Sequence, residues 1–286
     1  MSARDDLIRS ASSAANNRCC QAGPVGGPAF GGYLPDEAVG HGGYAVVYRA
    51  HPRDGGDPVA LKVLDERYRR PPHLDRLARE FTFAQRLDHP HIVRMYRLGD
   101  GWLAMELARG GTVTHLTDRR ARLRALTEIA GALDHSHRRG IVHGDVKPAN
   151  ILLSQPYSGG AVLVDFGIAH AVAEDVWHHP GHADASLAYA APEVLTGHHP
   201  CAATDQYALA CTAVELLIGA PPFVADTAQD LIDQQVNAPV PRYHPRLDWI
   251  PHAFDSILAK AMAKDPDARY PSCTEFVTLI ERALTG

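Results

Sequence analysis

The chain has 286 residues, 45% hydrophobic and 21% charged, with a formal net charge of −5. It is long enough for a two-lobed core, too acidic to hold nucleic acid by bulk charge, and without the ~18-residue apolar run of a membrane helix. Its five cysteines, Cys19, Cys20, Cys201, Cys211 and Cys273, follow no metal-ligand or disulfide-scaffold spacing and fit a reducing compartment.

Residues 1–32 are rich in Ala, Ser, Asn, Gly and Pro and poor in large apolar side chains. Such a stretch buries too little surface to offset its ordering entropy, so it reads as a mobile tail ending in the Gly/Pro cluster at 23–32. It lacks the basic-then-apolar order of a secretory leader, and a cytoplasmic location is expected. Short strands begin at Tyr33. Val39-Gly40-His41-Gly42-Gly43-Tyr44-Ala45-Val46-Val47 is a glycine-rich turn running into an alternating strand. Its glycines let backbone N–H groups approach phosphates, although the pattern alone also fits a plain hairpin. Val59-Ala60-Leu61-Lys62 is an apolar strand with one inward lysine, which needs an anionic partner if buried. Residues 72–88 carry Leu74, Leu77, Phe81, Ala84 and Leu87 at helical spacing, and Glu80 beside that stripe can face Lys62.

Residues 92–98 and 102–107 read as two further strands. The second ends in Met105-Glu106-Leu107-Ala108 and runs into Arg109-Gly110-Gly111, a hinge-like connector. The chain then turns mostly helical. A helix over about 119–138 has Leu123, Leu126, Ile129, Leu133 and His137 on one face and stops at Gly140. Ile141-Val142-His143-Gly144-Asp145-Val146-Lys147-Pro148-Ala149-Asn150 follows as a tight loop. In it Asp145 can accept a proton and Asn150 can hold a metal ion. Val162-Leu163-Val164 then leads to a second carboxylate in Asp165-Phe166-Gly167. These are the parts that transfer of a phosphoryl group requires. Residues 168–192 have no periodicity and read as a long functional loop closed by Ala191-Pro192-Glu193. Residues 205–219 are apolar nearly all round and predict a buried helix capped by Asp205. Helices near 227–236, 252–264 and 272–284 complete the chain, with a turn at 265–270.

Taken together, and in this order and spacing, these motifs are specific. Over residues 33–284 the chain resembles the eukaryotic-like serine/threonine protein kinases of bacteria. The resemblance implies an α+β, bilobal protein-kinase-like fold. A β-rich N-lobe with one main helix would span about 33–107, and a larger helical C-lobe about 112–284. It implies ATP as phosphoryl donor, Mg2+ with Mn2+ as an alternative, and protein Ser/Thr hydroxyls as acceptors. Asp145 would be the base, Lys147 would neutralise the γ-phosphoryl, and Asn150 and Asp165 would hold metal. Lys62, fixed by Glu80, would position the phosphates. ATP would lie against Val39 to Val47, Ala60, Lys62, Met105, Glu106, Leu107, Ala108 and Leu152. Ser186, where such kinases usually have Thr, would meet the Asp145–Lys147 pair at the substrate platform, and Glu193 would pair with Arg269.

His143-Gly144-Asp145 with Asn150 also resembles aminoglycoside-type and other small-molecule phosphotransferases of kinase-like fold, and a catalytically inactive scaffold is a third alternative. Lys147, Asp165-Phe166-Gly167 and Ala191-Pro192-Glu193 favour the protein kinase. Gly144 stands where most protein kinases have an Arg that grips a phosphorylated loop residue. Between Phe166 and Pro192 the hydroxyl side chains are Ser186 and Tyr189 alone, so control by loop phosphorylation is not expected. His178, His179 and His182 in the same segment read as a solvated loop. No linker follows Arg282, so of a soluble kinase and a truncated one the soluble kinase is expected. The protein substrate and the oligomeric state are not legible.

Overall fold

The computed structural model describes residues 30–156, 160–167, 170–171 and 184–286. The expected strands fold into one antiparallel sheet of β1 (Tyr33–His41), β2 (Ala45–Pro52), β3 (Val59–Leu64), β4 (Met95–Gly99) and β5 (Trp102–Glu106), in the order β1-β2-β3-β5-β4. Register pairs Val47 with Lys62 and Lys62 with Leu103, which sets the lysine on the central strand. One face of the sheet packs under α1 (Pro71–Gln85), a helix opened by two prolines whose missing N–H groups are no loss in a first turn. Leu77, Phe83 and Ala84 are buried on that face together with Glu80.

The other face buries Ala50, Val59, Leu61, Trp102 and Ala104 under Phe30, Tyr33 and Tyr48. Composition assigns residues 30–32 to the tail, but they belong to the sheet. Phe30 meets the Trp102 ring edge-on at 6.3 Å, Arg97 donates to the Gly31 carbonyl at 2.7 Å, and Arg53 N–H to that of Gly32 at 2.8 Å. Trp102 needs aromatic cover on an otherwise open face, and this short segment supplies it. The strand expected from Ile92 starts later, at Met95. Ile92 and Val93 instead run beside Leu163, whose carbonyl accepts from Val93 N–H at 3.0 Å.

The chain crosses at Arg109-Gly110-Gly111, which hydrogen-bonds to β7 (Ile151–Leu153) through Gly110 N–H to Leu153 O at 2.8 Å. A Cβ on Gly110 would lie 2.5 Å from the Gln155 carbonyl, so only glycine lets the connector seat there. The helical lobe is built on α2 (Arg119–His137), capped by Asp118 accepting from Ala121 N–H at 2.8 Å. Below it lie the short pairs β6 (Ile141–Val142) with β9 (His170–Ala171), and β7 with β8 (Ala161–Leu163). The lobe is completed by α3 (Pro192–Leu195), α4 (Ala202–Ile218), α5 (Ala228–Asn237), α6 (His252–Ala261) and α7 (Cys273–Thr285).

Three helix ends differ from expectation by three residues. The first, α1, stops at Gln85 rather than 88. The fifth long helix, α6, stops at Ala261 rather than 264, and α4 starts at Ala202 rather than 205. Thr204, accepting from Cys201 N–H at 3.0 Å, closes the start of α4, and Asp205 lies inside the helix, fully buried. Asp205 is therefore not the cap. Apolar side chains from both lobes form one contiguous core. No helix among the described residues is long and apolar enough to cross a membrane.

Candidate active site

Lys62 reaches out of β3 to Glu80 of α1 at 2.7 Å and to Asp165 at 3.3 Å. Two carboxylates therefore share one ammonium at the sheet–helix junction. Burial works against the Lys62 charge, but Asp165 and Glu80 outweigh it and push the pKa up to about 12. Burial raises the Glu80 pKa, whereas Lys62 and Arg76 overcome burial at Asp165 and hold it well below the usual carboxylate range. Asp165 is thus an anion, with a left-handed backbone at φ 65° and its Oδ1 accepting from Gly167 N–H at 3.3 Å. The second Glu80 oxygen is buried without a partner among the described residues.

A second group assembles on the loop after β6. Lys147 Nζ donates to Asp145 Oδ2 at 2.8 Å and to Ser186 Oγ at 2.7 Å. Asn150 Nδ2 donates to the Asp145 carbonyl at 2.8 Å and its carboxylate at 3.0 Å. Buried His143 holds the loop from beneath, accepting at Nδ1 from Asp145 N–H at 3.2 Å, with Nε2 3.0 Å from the Val164 carbonyl. That pattern sets the tautomer with hydrogen on Nε2. The His143 ring also meets buried Phe166 edge-on at 4.6 Å.

The model of the family described as "Protein kinase domain" matches residues 33–278. This chain belongs to the protein kinase domain family. Serine/threonine-protein kinase PknJ of Mycobacterium tuberculosis is 38% identical over 277 residues, which cover 91% of this chain and 46% of that protein. PknH of the same organism is 36% identical over 271 residues, covering 91% of this chain and 43% of PknH. The chain thus spans about half the length of the curated relatives it matches. The solved kinase domain of M. tuberculosis PknI superposes with a TM-score of 0.67 at 31% identity, covering 89% of this chain and 96% of that domain. The bilobal α+β architecture is that of the family, whose members use ATP and a divalent metal ion.

In this kinase domain the remaining expected nucleotide residues fall on three surfaces. Gly40 and His41 end β1, Gly42, Gly43 and Tyr44 make the turn, and Ala45, Val46 and Val47 open β2. Val39 is 51% exposed on the edge of β1. Ala60 on β3 and half-buried Leu152 on β7 come from opposite lobes. Met105 and Glu106 end β5, and Leu107 and Ala108 follow in the connector. The Ala108 N–H makes no hydrogen bond to a described residue, so this donor is available to a planar ligand. Tyr44 lines the cavity that also holds Lys62, Glu80 and Asp165. Its ring lies tilted against His73 at 4.5 Å and meets Tyr68 edge-on at 5.0 Å, tying the glycine-rich turn to the start of α1.

Three contributors are not apparent from sequence reasoning. Asp205 accepts from the backbone N–H groups of His143 and Gly144, both at 2.8 Å, and pairs with His137 Nε2 at 2.7 Å. An acid in the first turn of a nearly apolar helix is the signal for it, since a buried carboxylate must find donors. Arg76, one turn before Glu80, lies so close to Gly167 that a Cβ there would sit 2.8 Å from its Nε. Tyr189 donates to Glu215 Oε2, tying the loop's end to α4. Gly144 has φ 79°, a conformation suited to glycine. His178, His179 and His182, like Cys19 and Cys20, lie outside the described residues.

Proposed function

We propose that this domain is a serine/threonine protein kinase that transfers the γ-phosphoryl of ATP to protein hydroxyls. The observation that carries this reading is the Lys147 bridge from Asp145 to Ser186, at 2.8 and 2.7 Å. A base, a cation and a hydroxyl from the substrate-side loop there share one point, which suits a peptide acceptor docked along that loop. Asp145 accepts the proton of the incoming hydroxyl, and Lys147 offsets charge growing on the transferred group. Lys62, held between Glu80 and Asp165, grips phosphate oxygens. The adenine edge meets the backbone of Glu106 to Ala108, between Val47, Ala60 and Leu152. Asp165 and Asn150 are the donors that would hold Mg2+, and an ionised Asp165 beside an oriented amide fits a hard cation. When bound, the metal supplies charge neutralisation between the phosphates. Rate arises chiefly from positioning and charge.

The relatives compared are named serine/threonine-protein kinases, which weighs against a small-molecule acceptor. Radiolabel from ATP is expected on a generic protein substrate, and Lys62→Met and Asp145→Asn should each reduce it at least about 100-fold. Label confined to small hydroxylated compounds, or equal label from the Asp145→Asn protein, overturns the reading.

Regulation follows from Gly144. Lacking a guanidinium before Asp145, the loop gains no grip from a phosphoryl group, and the segment between Phe166 and Pro192 has only Ser186 and Tyr189 as hydroxyls. Both already have structural partners, in Lys147 and Glu215. Phosphatase-treated enzyme is therefore expected to keep its activity. If it loses most of it and recovers with phosphate on either residue, the proposal fails.

A further inference from the structure

We propose that Asp134, His137 and Cys273 form a zinc-type metal site at the junction of α2 and α7, outside the catalytic cleft. A carboxylate oxygen of Asp134, a ring nitrogen of His137 and the Cys273 sulfur all lie within 4.8 Å of one another. Asp134 and His137 stand three residues apart in the last turn of α2, so they share a helix face. Cys273 is the first residue of α7 and is buried. One oxygen, one nitrogen and one sulfur make the mixed donor set that Zn2+ takes, with water completing a tetrahedron. Mg2+, which requires oxygen donors in an octahedron, does not suit it.

The groups behind these donors are already arranged as they are around bound metals. The Asp134 oxygens accept from the N–H groups of Cys273 at 2.9 Å and Thr274 at 3.0 Å, which fixes the carboxylate while leaving each oxygen a second lone pair. His137 Nε2 bonds to Asp205, a fully buried carboxylate, at 2.7 Å. A carboxylate behind a histidine fixes the ring and raises its basicity toward metal. Coordination through Nδ1 leaves that bond intact. The Cys273 sulfur lies beside the Asp134 carboxylate, within 4.8 Å of its ligand oxygen. On coordination the sulfur exchanges its proton for the metal, and the proton leaves to solvent. Neither Asp134 nor His137 is fully enclosed, the His137 side chain being 11% exposed, and this leaves a narrow route for entry. Because Asp205 also holds the His143 and Gly144 N–H groups, an occupied site braces the catalytic loop through one side chain.

The test uses the full chain with Cys19 and Cys20 changed to Ser, titrated with Co2+ alone as a spectroscopic probe. A thiolate-to-cobalt charge-transfer band is expected, with Zn2+ displacing the cobalt and raising Tm as its concentration rises. The band should vanish in Cys273→Ser and require at least about tenfold more Co2+ in Asp134→Asn, with both variants folded by circular dichroism. A protein without the band, or a band that survives Cys273→Ser, overturns the proposal. So does displacement of the cobalt by Mg2+ as readily as by Zn2+.

Discussion

At the scale of single residues, Gly144 and Ser186 carry separable consequences. A side chain at φ 79° costs about 1–2 kcal/mol in the left-handed region. Gly144→Ala should lower the unfolding free energy by about 1 kcal/mol in urea denaturation. Gly144→Arg should be destabilised similarly and gain no activity, because on the proposed regulation no loop residue carries a phosphate to offset the strain. An arginine variant with raised kcat would contradict this account of regulation. Ser186 accepts one of the Lys147 N–H groups at 2.7 Å. Removing that bond with Ser186→Ala forgoes about 1 kcal/mol of alignment, or about fivefold in kcat, whereas Ser186→Thr keeps the acceptor and should keep most of the rate. Steady-state kinetics on a protein substrate separate this from binding, since KM for ATP should stay near the wild-type value.

At the scale of elements, α4 is the support of the catalytic loop. Asp205 projects from its first turns to collect two backbone N–H groups and an imidazole. Asp205→Ala would leave these donors buried without an acceptor, at about 1–3 kcal/mol each. A loss of about 3–5 kcal/mol is expected in thermal unfolding, with a loosened loop and a fall in kcat. An unchanged Tm would refute the bracing role. This residue also marks where sequence reasoning stops. The apolar faces of α1 and α2 and the spacing of Asp145, Lys147 and Asn150 are local patterns, so their positions were legible within a few residues. Asp205 meets partners 61 and 62 residues away. From its own neighbours it looks like a helix cap, because Cys201 and Thr204, which close that end, form an unusual cap. Phe30 was missed for the same reason. Its small polar neighbours say tail, and only the Trp102 ring it covers says sheet.

For the whole molecule, the buried pair of Glu193 and Arg269 ties the end of the substrate-side loop to the turn before α7. Both guanidinium ends donate to the carboxylate at 2.8 Å, and Arg269 also donates to the Ala203 and Ala263 carbonyls. Arg269→Met would strand Glu193 in the core and should cost about 3–5 kcal/mol. The pair also sets the acid limb of stability. Burial alone would raise the Glu193 pKa, but Arg269 outweighs it and holds it below the ordinary 4.5. At Asp205 burial is likewise outweighed by His137, and its pKa lies below the ordinary 3.8. A carboxyl whose pKa is lower in the folded chain binds fewer protons there than in the unfolded one. Its contribution is complete above the ordinary value and is lost as pH falls through the lowered one. Denaturation midpoints measured downward from pH 6 should therefore hold until about pH 4.5 and then fall. In Arg269→Met the Glu193 pKa is no longer held down, so burial raises it and protonation relieves the stranded charge. The deficit of this variant should be largest near neutral pH and shrink in acid; a deficit independent of pH would mean that the arginine acts by packing rather than by charge.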